Sequence, residues 1–244
     1  SPYKYYFYPK YMYTKLSIII PAYNEEQTIG AVLQSVIAVQ LPYGLIKECI
    51  VVDDFSNDET IKCVQDFKVN HSDAEIQLIR HEANKGKGAS IQTAISESTG
   101  DLIVFQDADL ECNPQDYVVL IERLFDNNCN VVYGNRFSKQ NPVNKWSLHY
   151  IINRLLTRIS NLKTGLKLTD MECCYKLIES SLVKKIELKE QRFGIEPEIT
   201  AKLSKLDESK FSEVPISYTR RNYSSGKKIG WMDGVRALYC ILKY

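Results

Sequence analysis

Short apolar runs alternate with longer amphipathic stretches along much of the chain, and this rhythm restricts the fold more than any other feature. Apolar residues fill almost every position of these runs, as in strands that are covered on both faces. The pattern therefore predicts an α/β fold with a mostly parallel central sheet flanked by helices. The five predicted strands are Leu16–Ile20, Glu48–Val52, Ile76–Ile79, Leu102–Phe105 and Asn130–Tyr133.

The stretches between these strands have the periodicity of helices with one apolar face. Asn113 is placed to cap the last of them, and Pro114 suits a first helical turn. The predicted helices are Gln27–Val39, Glu59–Lys68, Gly88–Glu97 and Pro114–Phe125.

The alternation breaks after about residue 135, where further elements are expected to add a layer to the same domain. The pattern there predicts helices near 145–162 and 195–206 and strand-like segments around Cys173–Leu177 and Val214–Tyr218.

Charge and cysteine content narrow the functional classes. A net charge of +1 supplies no global field for nucleic acid, so nucleic-acid binding is not expected. The seven cysteines are odd in number and show no CxxC spacing, which argues against a disulfide framework and against a zinc site. No run of 18 apolar residues and no signal peptide is visible, so we expect a reducing, cytoplasmic protein.

Polar side chains follow each of the first four strands, where ligands bind in an open parallel sheet. The sharpest of these segments is Asp107-Ala108-Asp109. Carboxylates two residues apart in an extended segment point to the same side and can share a divalent cation, and Glu111 continues that face. A single pair of this kind often only caps a turn, but here Asn113 already supplies the cap. The segment therefore predicts a metal site that would bridge the phosphates of a nucleotide sugar.

Two other segments can bind anions. Asn84–Gly88 has two glycines that allow close approach of the backbone, and a helix begins directly after it, although it is equally typical of a surface turn. Arg220, Arg221, Lys227 and Lys228 flank a Ser-Ser-Gly segment. These four cations would suit binding of phosphate groups by a segment that can close, or they form an ordinary solvated loop.

Taken in order, these segments resemble glycosyltransferase family 2, and the closest resemblance is to the branch of dolichyl-phosphate mannose and glucose synthases. The resemblance rests on LSIIIPAYNEE, IVVDDFSNDET, NKGKGAS and FQDADLE, and on the later segments GNRF, TDMECCYKL, FGIEPEI and EVPISYTRRNYSSGKKIGWMDG. It implies a GT-A fold, a UDP- or GDP-sugar donor, Mn²⁺ or Mg²⁺, and inversion at the anomeric carbon. Synthases of this branch commonly carry Gln where this chain has Glu111.

The resemblance also implies how the chain divides into two halves and which residues bind the donor. It implies a nucleotide-sugar-binding half over residues 16–135 and an acceptor half over residues 136–244 of one domain, preceded by an arm of residues 1–15. The metal and diphosphate would be served by Asp107 and Asp109, with Ala108 between them. The residues expected to contact the donor elsewhere are Pro21, Ala22, Tyr23, Glu25, Asp53, Lys87 and Arg136.

The acceptor is left open between a glycan hydroxyl and a polyprenyl phosphate. A hydroxyl needs a general base, whereas a lipid phosphate is already anionic. Glu196 and Glu198 lie where members of the family that act on hydroxyls place their base, and Asp170 is a second candidate. Glu198 would otherwise be a carboxylate at a helix start.

The predicted C-terminal helix has one apolar face. Trp231, Val235, Leu238, Tyr239 and Leu242 share one helix face, which is either core or, if exposed, suited to peripheral contact with a membrane. Two other classes of protein are considered, a nucleotide-sugar-binding module without catalysis and a nucleotidyltransferase. A nucleotidyltransferase should carry a glycine-rich basic loop after its first strand, where this chain has PAYNEE.

Overall fold

The computed structural model describes residues 13–137, 147–219 and 231–244, the last range without the side chains of 231–233. Apolar runs form a sheet whose strands come from the whole length of the described chain. The strands are β1 (Lys15–Ala22), β2 (Ile46–Asp53), β3 (Ile76–Arg80), β4 (Leu102–Phe105), β5 (Val131–Asn135), β6 (Lys176–Glu179) and β7 (Phe211–Pro215).

The seven strands form one sheet in the order β3-β2-β1-β4-β6-β5-β7. All neighbouring pairs are parallel except the two that involve β6, which runs antiparallel to β4 and to β5. The parallel register places Ala22 beside Asp53 and Asp53 beside Arg80 at the carboxyl ends of β1, β2 and β3. The predicted mostly parallel sheet is confirmed, and its polar edge is where the strands end together.

Helices cover both faces of this sheet. Their described bounds are α1 (Ile29–Ala38), α2 (Thr60–Asn70), α3 (Lys87–Glu97), α4 (Tyr117–Asp126), α5 (Leu148–Thr164), α6 (Ser180–Val183), α7 (Ile195–Leu203) and α8 (Trp231–Lys243). None of the helices within the described ranges combines the length and the apolar character needed to cross a bilayer.

The early elements match the sequence predictions, and the later ones are shifted. Asn113 caps a single 3-10 turn, Pro114–Asp116, that leads into α4, so the predicted helix is split at its start. β6 begins at Lys176, later than the predicted Cys173, and α6 was not predicted. β7 begins at Phe211 because its parallel pairing with β5 starts there.

The core lies on both faces of the sheet because successive side chains of a strand point in opposite directions. Leu16, Ile18 and Ile20 of β1 belong to a cluster under α1 and α4, whereas Ile19 belongs to a cluster under α3, α5 and α7. Every residue of β4 is buried, in keeping with its central position. This double burial explains why the strands read as continuous apolar runs.

A buried carboxylate holds the amino-terminal edge of the sheet. Glu48 of β2 accepts hydrogen bonds from the Ser17 hydroxyl, from the backbone and hydroxyl of Thr99, and from the Gly100 backbone. The Lys15 ammonium lies 2.9 Å from its carboxylate. Although burial alone would raise it, these partners lower the pKa of Glu48 to about 2.

We predict that Glu48→Gln lowers the free energy of unfolding by about 3 kcal/mol at pH 7, since the folded carboxylate titrates about 2.5 units below its ordinary value of 4.5. The contribution is fully present above pH 4.5 and is lost as the pH falls towards 2, so the difference from wild type should shrink over that window. Urea unfolding from pH 7 to pH 3 measures it. Glu75→Gln, whose carboxylate meets Lys15 at the surface, is the matched control and should cost less than about 1 kcal/mol. An unfolding difference for Glu48→Gln that does not change with pH would contradict the assignment.

Candidate active site

The loops after β1 and β2 form one connected edge. The backbone amide of Asn24 donates to the Ser56 hydroxyl at 2.9 Å, and the side-chain oxygen of Asn24 accepts from the Asn57 amide at 2.9 Å. The predicted donor residues Pro21, Ala22 and Tyr23 lie at this edge, where β1 ends. The two loops therefore present the predicted nucleoside contacts as one surface.

Asp53 lies at the same edge, where β2 ends. Its side chain is fully buried, and one carboxylate oxygen accepts from the Ser56 amide at 3.1 Å. The other oxygen has no hydrogen-bond partner within residues 13–137, 147–219 and 231–244. Because an unpaired buried acceptor costs about 1–3 kcal/mol, this oxygen is suited to an N–H or O–H donor of a ligand. Glu25, in contrast, accepts from the Thr28 hydroxyl at 2.8 Å at the start of α1.

Asp54 shapes the loop at residues 84–88. Its carboxylate accepts from the backbone amides of Lys85 and Gly86 at 2.8 and 2.7 Å, and from the His81 ring at 2.8 Å. These bonds position the N-terminus of α3, and Lys87 with it. The sequence indicated Asp53 at this edge but not the loop-forming role of its neighbour.

The two glycines of this loop serve the protein's own packing. A Cβ on Gly88 would lie 2.2 Å from the carbonyl oxygen of Glu190, and one on Gly86 would lie 2.5 Å from that of Gln191. Gly86 also has a φ of +99°. The close neighbour is the segment before α7, which the loop must approach for the site to form. Binding of an anion at this loop stays a prediction.

The segment after β4 is a turn and is not extended as predicted. Gln106 is buried and accepts from the hydroxyls of Tyr117 and Tyr175 at 2.5 and 2.6 Å, which anchors the base of the turn. Leu110 has a φ of +61°, a strained conformation for a branched side chain. Ala108 is buried in the core, so Asp107 and Asp109 flank a fixed point of the turn.

Lys87 joins this turn to α7. Its ammonium lies 2.8 Å from a carboxylate oxygen of Asp107 and 2.8 Å from one of Glu196. Although burial opposes its charge, the two carboxylates raise the pKa of Lys87 well above its ordinary value. Burial and the charge of Glu111 raise the pKa of Asp109 to about 6. Three predicted site residues, Lys87, Asp107 and Glu196, are thus brought into direct contact.

Glu111 has a different set of partners. Its carboxylate accepts from the Tyr218 hydroxyl at 2.8 Å, and its backbone amide donates to Asp109 at 3.0 Å. Within the described part of the chain, no group of three or more His, Cys, Asp or Glu side chains is arranged to hold a metal ion. The predicted centre of Asp107, Asp109 and Glu111 is therefore not formed, because the turn directs Glu111 towards Tyr218.

Asp170 pairs with Arg136 in a two-pronged contact. Two guanidinium nitrogens lie 2.7 Å from its two carboxylate oxygens, and the Arg136 amide donates to it at 3.1 Å. Asp170 is fully buried, whereas Arg136 lines the cavity described below. Asp170 therefore positions Arg136, and the geometry does not present it to a substrate as a base.

Glu198 is also engaged within the protein. It is fully buried and accepts from the backbone amides of Lys189 and Glu190, with Lys202 at 2.6 Å. Its carboxylate holds the segment before α7 in place. This agrees with the structural alternative given for Glu198 in the sequence analysis, a carboxylate at the start of a helix. Of the two glutamates, the structure brings Glu196 to the cavity and places Glu198 away from it.

A cavity of about 570 Å³ is lined by acidic side chains that lie close to one another and by apolar side chains of α5 and α8. We call Asp107, Asp109, Glu111, Glu172 and Glu196 the acidic end, and Leu148, Ile152, Leu155, Val235 and Leu238 the apolar wall.

Glu172 was missed by the sequence reasoning. It lies two residues after Asp170 in TDMECC, the same spacing as Asp107 and Asp109, and that was the available signal. Burial, reinforced by the charge of Glu196, raises the pKa of Glu172 to about 7. One oxygen of Glu172 and one of Glu196 are buried without a hydrogen-bond partner in the described part of the chain.

The predicted phosphate-binding cations Arg220, Arg221, Lys227 and Lys228 lie outside the described residues.

A mostly parallel sheet with a diacid turn and a cavity at its carboxyl edge is the architecture of the GT-A fold. Residues 17–187 match the family described as glycosyl transferase family 2, and the chain belongs to that family. Its relatives agree with the branch of dolichyl-phosphate sugar synthases.

Two curated relatives illustrate the similarity. Dodecaprenyl-phosphate galacturonate synthase of Rhizobium johnstonii is 26% identical over 87% of this chain and 61% of its own length. Dolichol-phosphate mannosyltransferase of Pyrococcus furiosus is 28% identical over 94% of this chain and 64% of its own length. The chain thus spans less than two thirds of either relative.

The fold is also that of solved structures. Glucosyl-3-phosphoglycerate synthase of Mycobacterium tuberculosis, in complex with uridine diphosphate, superposes with a TM-score of 0.72 at 17% identity, over 96% of this chain and 80% of that one. The same synthase has been solved with Mn²⁺ and with Mg²⁺.

Proposed function

We propose that this protein is an inverting hexosyltransferase that moves a sugar from a UDP- or GDP-sugar to a polyprenyl phosphate. The observation that carries the proposal is the cavity, in which the acidic end adjoins the apolar wall. A charged donor and an acceptor with a long apolar chain would each find a matching surface there.

The donor diphosphate is assigned to the turn after β4. Asp107 and Asp109 suit a hard divalent cation whose remaining ligands come from phosphate and water, as Mg²⁺ sites commonly use one or two carboxylates. The raised pKa of Asp109 fits this role, since a nearby cation would favour its ionised form. When bound, Mn²⁺ or Mg²⁺ would supply Lewis-acid stabilisation of the departing diphosphate.

Side chains on both sides of the turn after β4 would hold the donor. The free oxygen of Asp53 is available to the nucleoside, and Pro21, Ala22 and Tyr23 lie at the same edge. Arg136 is held rigidly by Asp170 and faces the cavity, where it can meet a phosphate.

The lipid phosphate would be its own nucleophile. Its oxygen would attack the anomeric carbon on the side opposite the leaving diphosphate, which forms the new C–O bond as the old one breaks. An anionic phosphate has no proton to lose, so no general base is required. This accords with Glu198 and Asp170 being committed to protein partners. With a glycan hydroxyl as acceptor, Glu196 would be the available base.

The apolar wall argues for the lipid. Leu148 and Leu155 of α5 are 72% and 55% exposed, and Val235 of α8 is 58% exposed. Such large exposed apolar side chains on two adjacent helices mark a binding surface. Lipid phosphates also appear in the names of the relatives from Rhizobium and Pyrococcus.

We predict that the purified protein transfers sugar from a UDP- or GDP-hexose to a polyprenyl phosphate and not to the matching polyprenol. Radiolabelled donor, extracted into organic solvent with the lipid product, measures this. Transfer to the polyprenol or to a sugar hydroxyl would overturn the acceptor assignment. Donor binding without any turnover would support the alternative of a sugar-nucleotide-binding module.

The same two helices would bring the protein to its lipid. The apolar side chains continue away from the cavity to Leu162 of α5 and Leu242 of α8, which are 87% and 63% exposed. The Lys163 ammonium donates to the Leu242 carbonyl, so these ends of the helices lie side by side. α5 contains Arg154, Arg158 and Lys163 and no acidic residue. A basic helix with an exposed apolar face is suited to an anionic membrane surface.

We predict that Leu162→Glu combined with Leu242→Glu abolishes flotation with vesicles that contain anionic lipid, because it places two charges on the apolar face. Val69→Glu is the matched control, since Val69 is 80% exposed at the end of α2, and it should float like wild type. Equal flotation of the double variant and the control would contradict the proposed membrane contact.

A further inference from the structure

Two carboxylate oxygens in the acidic end have no hydrogen-bond partner among the residues that the structure describes. They belong to Glu172 and Glu196, and both are buried against solvent. The mechanism proposed above uses neither group. Since buried acceptors are normally paired, two of them in one cavity indicate that a ligand supplies the donors.

Lys87 fixes where these oxygens lie relative to the donor. It bridges Asp107 and Glu196 at 2.8 Å to each, so Glu196 is one ammonium group away from the carboxylate assigned to the diphosphate. The sugar attached to that diphosphate must occupy the adjoining space. Glu172 lines the same cavity and interacts electrostatically with Glu196.

We infer that Glu172, together with Glu196, selects the transferred sugar. The two carboxylates accept hydrogen bonds from uncharged sugar hydroxyl groups and repel a sugar that places its own carboxylate beside them. The inference rests on the proposed function, because it takes the cavity to be the donor site. It names the substrate class as nucleotide-linked neutral hexoses and excludes nucleotide-linked uronic acids.

The charge balance of the cavity supports this exclusion. Five carboxylates line it. Of its described cations, Lys87 is paired with Asp107 and Glu196, and Arg136 is paired with Asp170 and assigned above to the donor phosphate. A uronate would add an acceptor-only anion beside two further acceptors. Like charges brought together in this way repel and act against the wrong ligand.

The surroundings of Glu172 make the discrimination pH-dependent. The charged groups that act on it are Glu196 of α7, Lys176 of β6, Arg136 after β5, and Asp170 of its own segment. With a pKa raised to about 7, Glu172 is largely neutral at pH 6 and largely ionised at pH 8. Repulsion of a uronate should therefore grow over this interval.

The test compares donors that share a base and differ only at C6: UDP-glucose with UDP-glucuronate, and GDP-mannose with GDP-mannuronate. We expect wild type to prefer the neutral member of the pair it uses by about 100-fold or more in kcat/KM, with a larger preference at pH 8 than at pH 6. Glu172→Gln keeps the size of the side chain and removes its charge. It should reduce the preference at least tenfold and weaken its change with pH.

Glu179→Gln is the matched control. Glu179 lies at the other end of β6, where it accepts from the Tyr13 and Ser181 hydroxyls, and its variant should discriminate like wild type. A folded Glu172→Gln protein that keeps the wild-type preference and its pH dependence would overturn the inference. So would a wild-type preference for the uronate.

Calorimetric titration of each donor pair without acceptor separates this inference from the proposed function. Discrimination in donor affinity that depends on Glu172, without transfer to a polyprenyl phosphate, would support the inference and remove the acceptor assignment. Transfer to the lipid with equal affinity for both members of each pair would support the acceptor assignment and overturn the inference.

Discussion

The contact of Lys87 with Asp107 and Glu196 is the interaction on which the site depends. It joins the turn after β4 to the first turn of α7, two segments about 90 residues apart in the chain. Lys87 can reach both because Asp54 folds the preceding loop and because Gly86 and Gly88 allow that loop to lie against the segment before α7. The turn that carries Asp107 and the helix that carries Glu196 are therefore joined by a single ammonium group.

An excess of carboxylates in the cavity is the second constraint. Burial raises the pKa of Asp109 to about 6 and that of Glu172 to about 7, so the folded protein bears the cost of several charges held close together. Sites that store strain of this kind are commonly functional. A donor with its cation would offset the repulsion around Asp109, whereas sugar hydroxyls would satisfy Glu172 and Glu196.

Local pattern accounts for what the sequence predicted well. The strands up to β5 and the helices between them follow from apolar periodicity, and the Asn113 cap follows from its spacing to Pro114, because all of these depend on neighbours in the chain. The roles of the site residues depend on distant partners. Glu111 turns to Tyr218, Glu198 to the segment before α7, and Asp170 to Arg136. No local rule distinguishes these carboxylates from Glu196 or Glu172, each of which keeps one oxygen unpaired among the described residues.

The central claim is that the turn at Asp107 and Asp109 binds a nucleotide sugar together with a divalent cation. The most direct measurement is the thermal shift produced by UDP- and GDP-sugars with and without Mn²⁺, on wild type, on Asp109→Asn, and on Asp126→Asn as a control at the exposed end of α4. The account predicts a shift for one nucleotide that requires the metal, is lost in Asp109→Asn and is kept in Asp126→Asn. A shift of equal size without metal, or one that survives in Asp109→Asn, would contradict it.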